Sequence, residues 1–201
     1  MVRVKICGVT SLEDARRTLD AGADAIGLNF WAKSARRCSE EVAREIVAAF
    51  KGQTLFVGVF VDSSADEVER IRTSVGLDCV QLHGEEPPSM VQRFLPHAYK
   101  AVRVRGDVLA AVRAYPGEHV LLDAYVPGLP GGTGATFDWN LARAVAAERK
   151  LTLAGGLTPD NVRAAVATVN PYCVDVASGV ESAPGVKDPA LVRAFIANAR
   201  G

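Results

Sequence analysis

No charge sign dominates this 201-residue chain: Lys plus Arg and Asp plus Glu each number 23. A general nucleic-acid binder carries a basic excess, so no nucleic acid is expected as a partner. A small anionic ligand stays open, because one loop can hold a phosphate without moving the total. Cysteine is sparse. Cys7, Cys38, Cys79 and Cys173 lie far apart and form no CxxC pair, which argues against zinc and disulfide frameworks and fits a reduced, cytoplasmic protein. His83 with Cys79 or Cys7 matches no ligand spacing, so no metal is expected. No apolar run approaches the ~20 residues of a membrane-spanning helix, so no membrane partner is expected. The stretch Met1–Cys7 is charged and strand-like, unlike a secretory leader. No linker, low-complexity segment or charge block interrupts the chain. With 49% apolar and 23% charged residues, it reads as a single globular domain over 1–201 with a sizeable core.

What is present is an alternation. Short β-rich runs fall at Val2–Cys7, Ala25–Phe30, Leu55–Val61, Cys79–His83, Tyr99–Val104, His119–Asp123, Leu151–Ala154 and Cys173–Ala177. Amphipathic stretches separate them: Ser11–Ala21, Ser39–Phe50, Ala65–Val75, Trp139–Ala147, Asn161–Val169 and Ala190–Arg200, with shorter ones at Ser89–Phe94 and Asp107–Ala114. Thr10 with Glu13 fits a capping box, and Thr158-Pro159 and Asp188-Pro189 each place a capping residue before proline. Gly22 and Gly76 sit where helices should stop. Strand–helix alternation implies parallel strands with right-handed crossovers. Eight units of about 25 residues each make a compact (β/α)8 TIM barrel. The rival is an open doubly wound sheet, but the first strand–helix turn, Cys7-Gly8-Val9-Thr10, has no GxGxxG fingerprint.

The two-residue period of a strand sorts the side chains. Lys5 and Cys7 share one face, as do Gln81 and His83, Leu121 and Asp123, and Asp175 and Ala177. The aliphatic face should meet the helices, so the polar face points into the barrel, which is unfavourable unless those groups are paired or functional. Cys7, Asn29, His83 and Asp123 then ring the end where barrel enzymes keep their active sites. From the residues alone, Cys7 reads first as an inert small hydrophobe and Arg36 first as a surface cation, while Asp123 reads equally as a structural carboxylate paired with Lys5 or an Arg. Gly155-Gly156 and Ser178-Gly179 follow strands seven and eight, where barrels build phosphate sites from backbone N–H groups.

Several short segments, in order along the whole chain, resemble the phosphoribosylanthranilate isomerase family: Val4-Lys5-Ile6-Cys7-Gly8-Val9-Thr10, Lys33-Ser34-Ala35-Arg36, Val57-Gly58-Val59-Phe60, Val80-Gln81-Leu82-His83-Gly84, Leu121-Leu122-Asp123, Gly131-Gly132-Thr133-Gly134, Ala154-Gly155-Gly156-Leu157 and Asp175-Val176-Ala177-Ser178-Gly179-Val180-Glu181. The resemblance implies an Amadori rearrangement of phosphoribosylanthranilate, an aldose-to-ketose isomerisation of tryptophan biosynthesis that needs no cofactor. It implies Cys7 as general base, its thiol lowered with help from Lys5, and Asp123 as general acid, its proton retained with help from a carboxylate such as Asp175. It implies Arg36 as the clamp on the anthranilate carboxylate. The family's usual aromatic after this Arg is replaced by Arg37, so Arg37 stays open as a substitute. His83 and Asp175 are expected in the substrate pocket. Gly132, Gly134, Gly155, Gly156, Ser178 and Gly179 are expected around the phosphate of a small anionic substrate. Monomer and homodimer are both left open. The alternatives are another phosphate-binding barrel, such as a histidine-pathway sugar isomerase or indoleglycerol phosphate synthase, or a non-catalytic barrel. Against the first of these, Cys7 stands where it places Asp, and the second half of the chain shows no convincing repeat of the first.

Overall fold

The computed structural model describes residues 1–124 and 138–201. Eight parallel strands pair in sequence order: β1 (Arg3–Cys7), β2 (Ala25–Asn29), β3 (Leu55–Phe60), β4 (Cys79–Leu82), β5 (Ala98–Val104), β6 (His119–Ala124), β7 (Lys150–Leu153) and β8 (Cys173–Val176). β8 returns to β1 with Asp175 opposite Lys5, which closes the barrel and excludes the open sheet. Helices follow the strands in turn: α1 (Leu12–Asp20), α2 (Glu40–Phe50), α3 (Ala65–Val75), α4 (Pro88–Phe94), α5 (Val108–Arg113), α6 (Asn140–Glu148), α7 (Val162–Val169) and α8 (Pro189–Arg200). Between β8 and α8 a 3-10 turn (Ser178–Val180) leads into a small antiparallel hairpin, β9 (Glu181–Ala183) and β10 (Val186–Lys187), which the sequence patterns did not announce. No helix among the described residues is long and apolar enough to cross a membrane.

Side-chain caps fix the helix starts. Ser11, Ser39, Ser64, Asp107 and Asp188 each accept an amide of their helix's first turn, satisfying donors that have no intrahelical partner. Two of the expected caps differ. Ser11 caps α1 in place of Thr10, whose hydroxyl donates to the Gly185 carbonyl at 2.7 Å and so ties the β1 loop to the hairpin. Thr158 does not cap α7; its own amide donates to Asn161 Oδ1 at 2.8 Å. Gly76 closes α3 in the left-handed conformation, φ 81°.

The core has two shells. Outward-facing strand residues such as Val4, Ile6, Ile26, Leu28, Leu82 and Leu122 pack with helix residues such as Ala15, Ile46, Val68, Val145 and Phe195. Inside the barrel sits a smaller cluster of Ala25, Val57, Tyr99, Ala101, Leu121 and Ala154. Lys5, Gln81, Thr152 and Asp175 share that interior fully buried, a placement that requires partners.

Candidate active site

The C-terminal ends of the strands open into one cavity. Cys7 ends β1, Asn29 ends β2, His83 follows β4 and Asp123 lies near the end of β6, and all four line it. The lining also includes Gln81 on β4, Trp31, Ser34 and Arg36 from the loop after β2, Gly155 and Gly156 after β7, and Asp175 with Ala177–Gly179 at the end of β8. The residues singled out from strand periodicity are thus brought together. Gly132 and Gly134 lie outside the described residues.

Along and beneath the cavity floor the interior polar groups are linked to one another. Lys5 Nζ forms a buried ion pair with Asp175 Oδ2 at 2.7 Å and donates to Gln81 Oε1 at 3.0 Å. The Tyr99 hydroxyl donates to the same Gln81 oxygen at 2.9 Å. Gln81 Nε2 reaches His83 Nδ1 at 2.8 Å, and His83 Nε2 reaches Asp123 Oδ2 at 3.2 Å. Burial opposes the charge on Lys5, but Asp175 overrides it and holds the ammonium well above its usual range. Space for this cluster comes from β2. A Cβ on Gly27 would lie 2.7 Å from Cys7 Sγ and 3.1 Å from Lys5 Cε, so only glycine lets these side chains stand there.

The Cys7 thiol does not behave as its neighbours alone would dictate. Lys5 and Lys187 favour the thiolate, yet removal from water is the larger effect and pushes the thiol above its ordinary value. The expected lowering by Lys5 is real in sign and outweighed in size. The expected carboxylate neighbour for Asp123 also differs: Asp175 Oδ2 is committed to Lys5, and the group bonded to Asp123 is His83. Asp175 Oδ1 is buried without a partner among the described residues.

Arg36 and Arg37 part company. Arg37 is exposed, whereas Arg36 lines the cavity against Gly8, where a Cβ would meet its side chain at 2.7 Å. Glu181 on β9 accepts from Arg36 Nε at 2.9 Å and Nη2 at 2.8 Å. The fully buried Lys187 on β10 holds the same carboxylate at 2.7 Å. Burial pushes the Glu181 carboxyl up, but the bonds from Arg36 and Lys187 together bring it below its ordinary value. The guanidinium is therefore fixed along one edge, leaving Nη1 as the nitrogen not bonded to Glu181.

The β7 and β8 loops meet in backbone contact. Gly155 and Gly156 adopt φ of 87° and 62°, and their amides have no acceptor among the described residues. A Cβ on Gly179 would lie 2.0 Å from the Leu157 carbonyl oxygen. This is a cradle of amides of the kind that holds an oxyanion.

The comparisons with known proteins bear on this cavity. The family model for N-(5'-phosphoribosyl)anthranilate isomerase matches residues 4–198. A relative of that name from Geobacter sp. (strain M21) is 50% identical over 201 residues, covering 100% of this chain and 98% of its own. The phosphoribosylanthranilate isomerase of Thermotoga maritima superposes with a TM-score of 0.91 at 42% identity, over the full length of both chains. The chain belongs to the phosphoribosylanthranilate isomerase family. It is an isomerase of tryptophan biosynthesis that interconverts an aldose and a ketose. A further family structure, TM-score 0.88 at 40% identity over the full length of both chains, was solved in complex with reduced 1-(o-carboxyphenylamino)-1-deoxyribulose 5-phosphate.

Within this family member, sequence reasoning had not singled out Glu181, Lys187 or Gly27, and had placed Gln81 on the polar face without a part in the site. Glu181 stood at the end of a matched segment, and Gly27 stood mid-strand, a position that usually marks a close approach. Those were the available signals. Lys187 had none, because its burial depends on the hairpin.

Proposed function

We propose that Cys7 is the general base and Asp123 the general acid of the rearrangement, that Arg36 binds the anthranilate carboxylate, and that the β7 and β8 loops bind the phosphate. One observation carries the reading: a thiol and a carboxylate open on the same cavity as a largely buried guanidinium and a cradle of glycine amides. The substrate asks for those four groups. Its furanose oxygen must gain a proton for the ring to open to an iminium, and C2 must then lose one to give the enolamine that tautomerises to the ketose. Its carboxylate and phosphate fix which face meets which residue. The analogue bound by the family structure carries both anions, in keeping with a small phosphorylated ligand here.

Asp123 Oδ2 is engaged by His83, so Oδ1 delivers the proton. Cys7 must ionise to act as the base: burial holds the thiol above its ordinary value, and Lys5 and Lys187 are the cations that work against that rise. Asp175 Oδ1, buried and unpartnered, accepts a substrate hydroxyl. The reaction runs on these side chains with no metal or organic cofactor, in the cytoplasm.

The test is turnover of freshly made phosphoribosylanthranilate, followed by loss of its fluorescence. Cys7→Ser and Asp123→Asn should each lower kcat by about 10²–10⁴, the range for a lost acid or base. Both variants should still bind the reduced product analogue, since neither residue is assigned to an anion. Near-normal kcat in Cys7→Ser would overturn the base assignment.

A further inference from the structure

We propose that Lys5 and Gln81 fix His83 in the neutral tautomer protonated at Nε2, so that Gln81 is a positioning residue for the proton transfer assigned to Asp123. The inference starts from the one group whose hydrogen-bonding sense admits no choice. A lysine ammonium has three donors and no acceptor. Lys5 is ion-paired to Asp175 at 2.7 Å, is 2% exposed, and sits 3.0 Å from one terminal atom of Gln81. That atom is therefore the amide oxygen, because an NH2 there would set donor against donor. The Tyr99 hydroxyl, 2.9 Å from the same atom, completes its coordination as a second donor.

The other terminal atom of Gln81 is then the NH2 group, and it faces His83 Nδ1 at 2.8 Å. At that distance Nδ1 must accept, so it carries no proton. An imidazolium, with N–H on both nitrogens, would again set donors face to face. The single ring proton is left on Nε2, which lies 3.2 Å from Asp123 Oδ2. A chain of hydrogen bonds with one fixed direction thus runs from the barrel floor to the mouth: Lys5 to Gln81, Gln81 to His83, His83 to Asp123.

The chemical consequence rests on the reading of Asp123 as the acid. When its Oδ1 proton passes to the ring oxygen, a carboxylate is left, and a donor already aimed at Oδ2 stabilises that charge without reorganising. The wrong tautomer would present a lone pair there and oppose the transfer. Residues that do not themselves give up the proton thereby govern the acid step.

Protein labelled with 15N-histidine tests this directly. The chain has three histidines, and a His83→Gln variant identifies the resonances of the ring in question. At neutral pH, long-range 1H–15N spectra should show His83 Nδ1 as an unprotonated, pyridine-type nitrogen and Nε2 as a protonated, pyrrole-type one. Gln81→Glu replaces the NH2 with an acceptor and should move the Nδ1 signal to a protonated shift. It should also lower kcat by roughly ten- to a hundredfold, the scale of one charge-assisted hydrogen bond, with KM changed less. An Nδ1-protonated or doubly protonated His83 in the unaltered protein would overturn the proposal, and so would unmoved His83 shifts in Gln81→Glu. The spectrum of the unaltered protein, once assigned, needs no assumption about Asp123. That separate assignment fails on the kcat of Asp123→Asn.

Discussion

A guanidinium grips a carboxylate well only if its fork is held still, and this holds for Arg36 but not its neighbour. Glu181 and Lys187 pin Arg36 from below, while Arg37 is exposed. Arg36→Met should lower kcat/KM by about ten- to a hundredfold, the loss of one charge-assisted contact of roughly 1.5–3 kcal/mol. Arg37→Met should change it little. Steady-state kinetics that ranked the two in reverse would move the clamp to Arg37. The thiol gives a second test at this scale. Burial raises Cys7 while Lys5 opposes that rise, so its rate of alkylation by iodoacetamide should climb with pH beyond the ordinary thiol range. Lys5→Met removes the nearest stabilising cation and should shift that profile to still higher pH. A profile at or below the ordinary thiol range would show that the charge of Lys5 outweighs desolvation at Cys7. Composition and spacing revealed Lys5 and Cys7 on one face and hence the sign of their coupling. The competing desolvation depends on strands distant in sequence, so no local pattern displays it.

At the scale of elements, periodicity of two and of 3.6 was enough to place the eight barrel strands and the helices that follow them, because each buries one face. The cross-barrel partners were not legible. Lys5 meets Gln81 three strands away, and that meeting depends on the stagger of a closed barrel. The β9–β10 hairpin was missed for a related reason: its strands are three and two residues long, too short to show a period. The β7 and β8 loops were legible as paired glycine sites, and the structure adds why Gly179 must be glycine. Its α-hydrogen faces the Leu157 carbonyl, where a Cβ would come within 2.0 Å and the backbone has little room to yield. Gly179→Ala should force the loops apart, destabilising the fold by about 1–3 kcal/mol as other overpacked sites do. It should raise KM and weaken competitive inhibition by inorganic phosphate in parallel. Unchanged KM and phosphate inhibition in a folded variant would place the phosphate elsewhere.

At the scale of the whole molecule, alternation implied parallel strands, eight units favoured a barrel over an open sheet, and the pairing of β8 with β1 decides closure. A closed barrel has two ends with different tasks. The cavity opens at the mouth, and aromatic stacking packs the strand starts at the opposite end. His119, which begins β6, stacks on Tyr99 with ring centroids 4.2 Å apart and bonds Thr152 Oγ1 at 2.7 Å. The edge of Tyr172 lies against it at 5.8 Å between centroids. Burial, helped by the nearby charges of Lys5, Lys150 and Arg149, lowers this imidazole from 6.5 to about 4. The folded state thus favours neutral His119, and protonation favours the unfolded chain. The stabilisation is fully present above pH 6.5 and is lost as pH falls from 6.5 towards 4. Between pH 7 and pH 5 the loss should be about 2 kcal/mol. Carboxylates held low, such as Glu181, lose their contribution only at lower pH, so the two effects separate along the pH axis. Urea unfolding at pH 7, 6 and 5 should show the midpoint falling stepwise in the unaltered protein. His119→Gln keeps a hydrogen-bonding group near Thr152 but cannot titrate. It should start less stable at pH 7, for want of the stacking, and then hold nearly constant to pH 5. Equal slopes in the two proteins would assign the acid sensitivity to other groups.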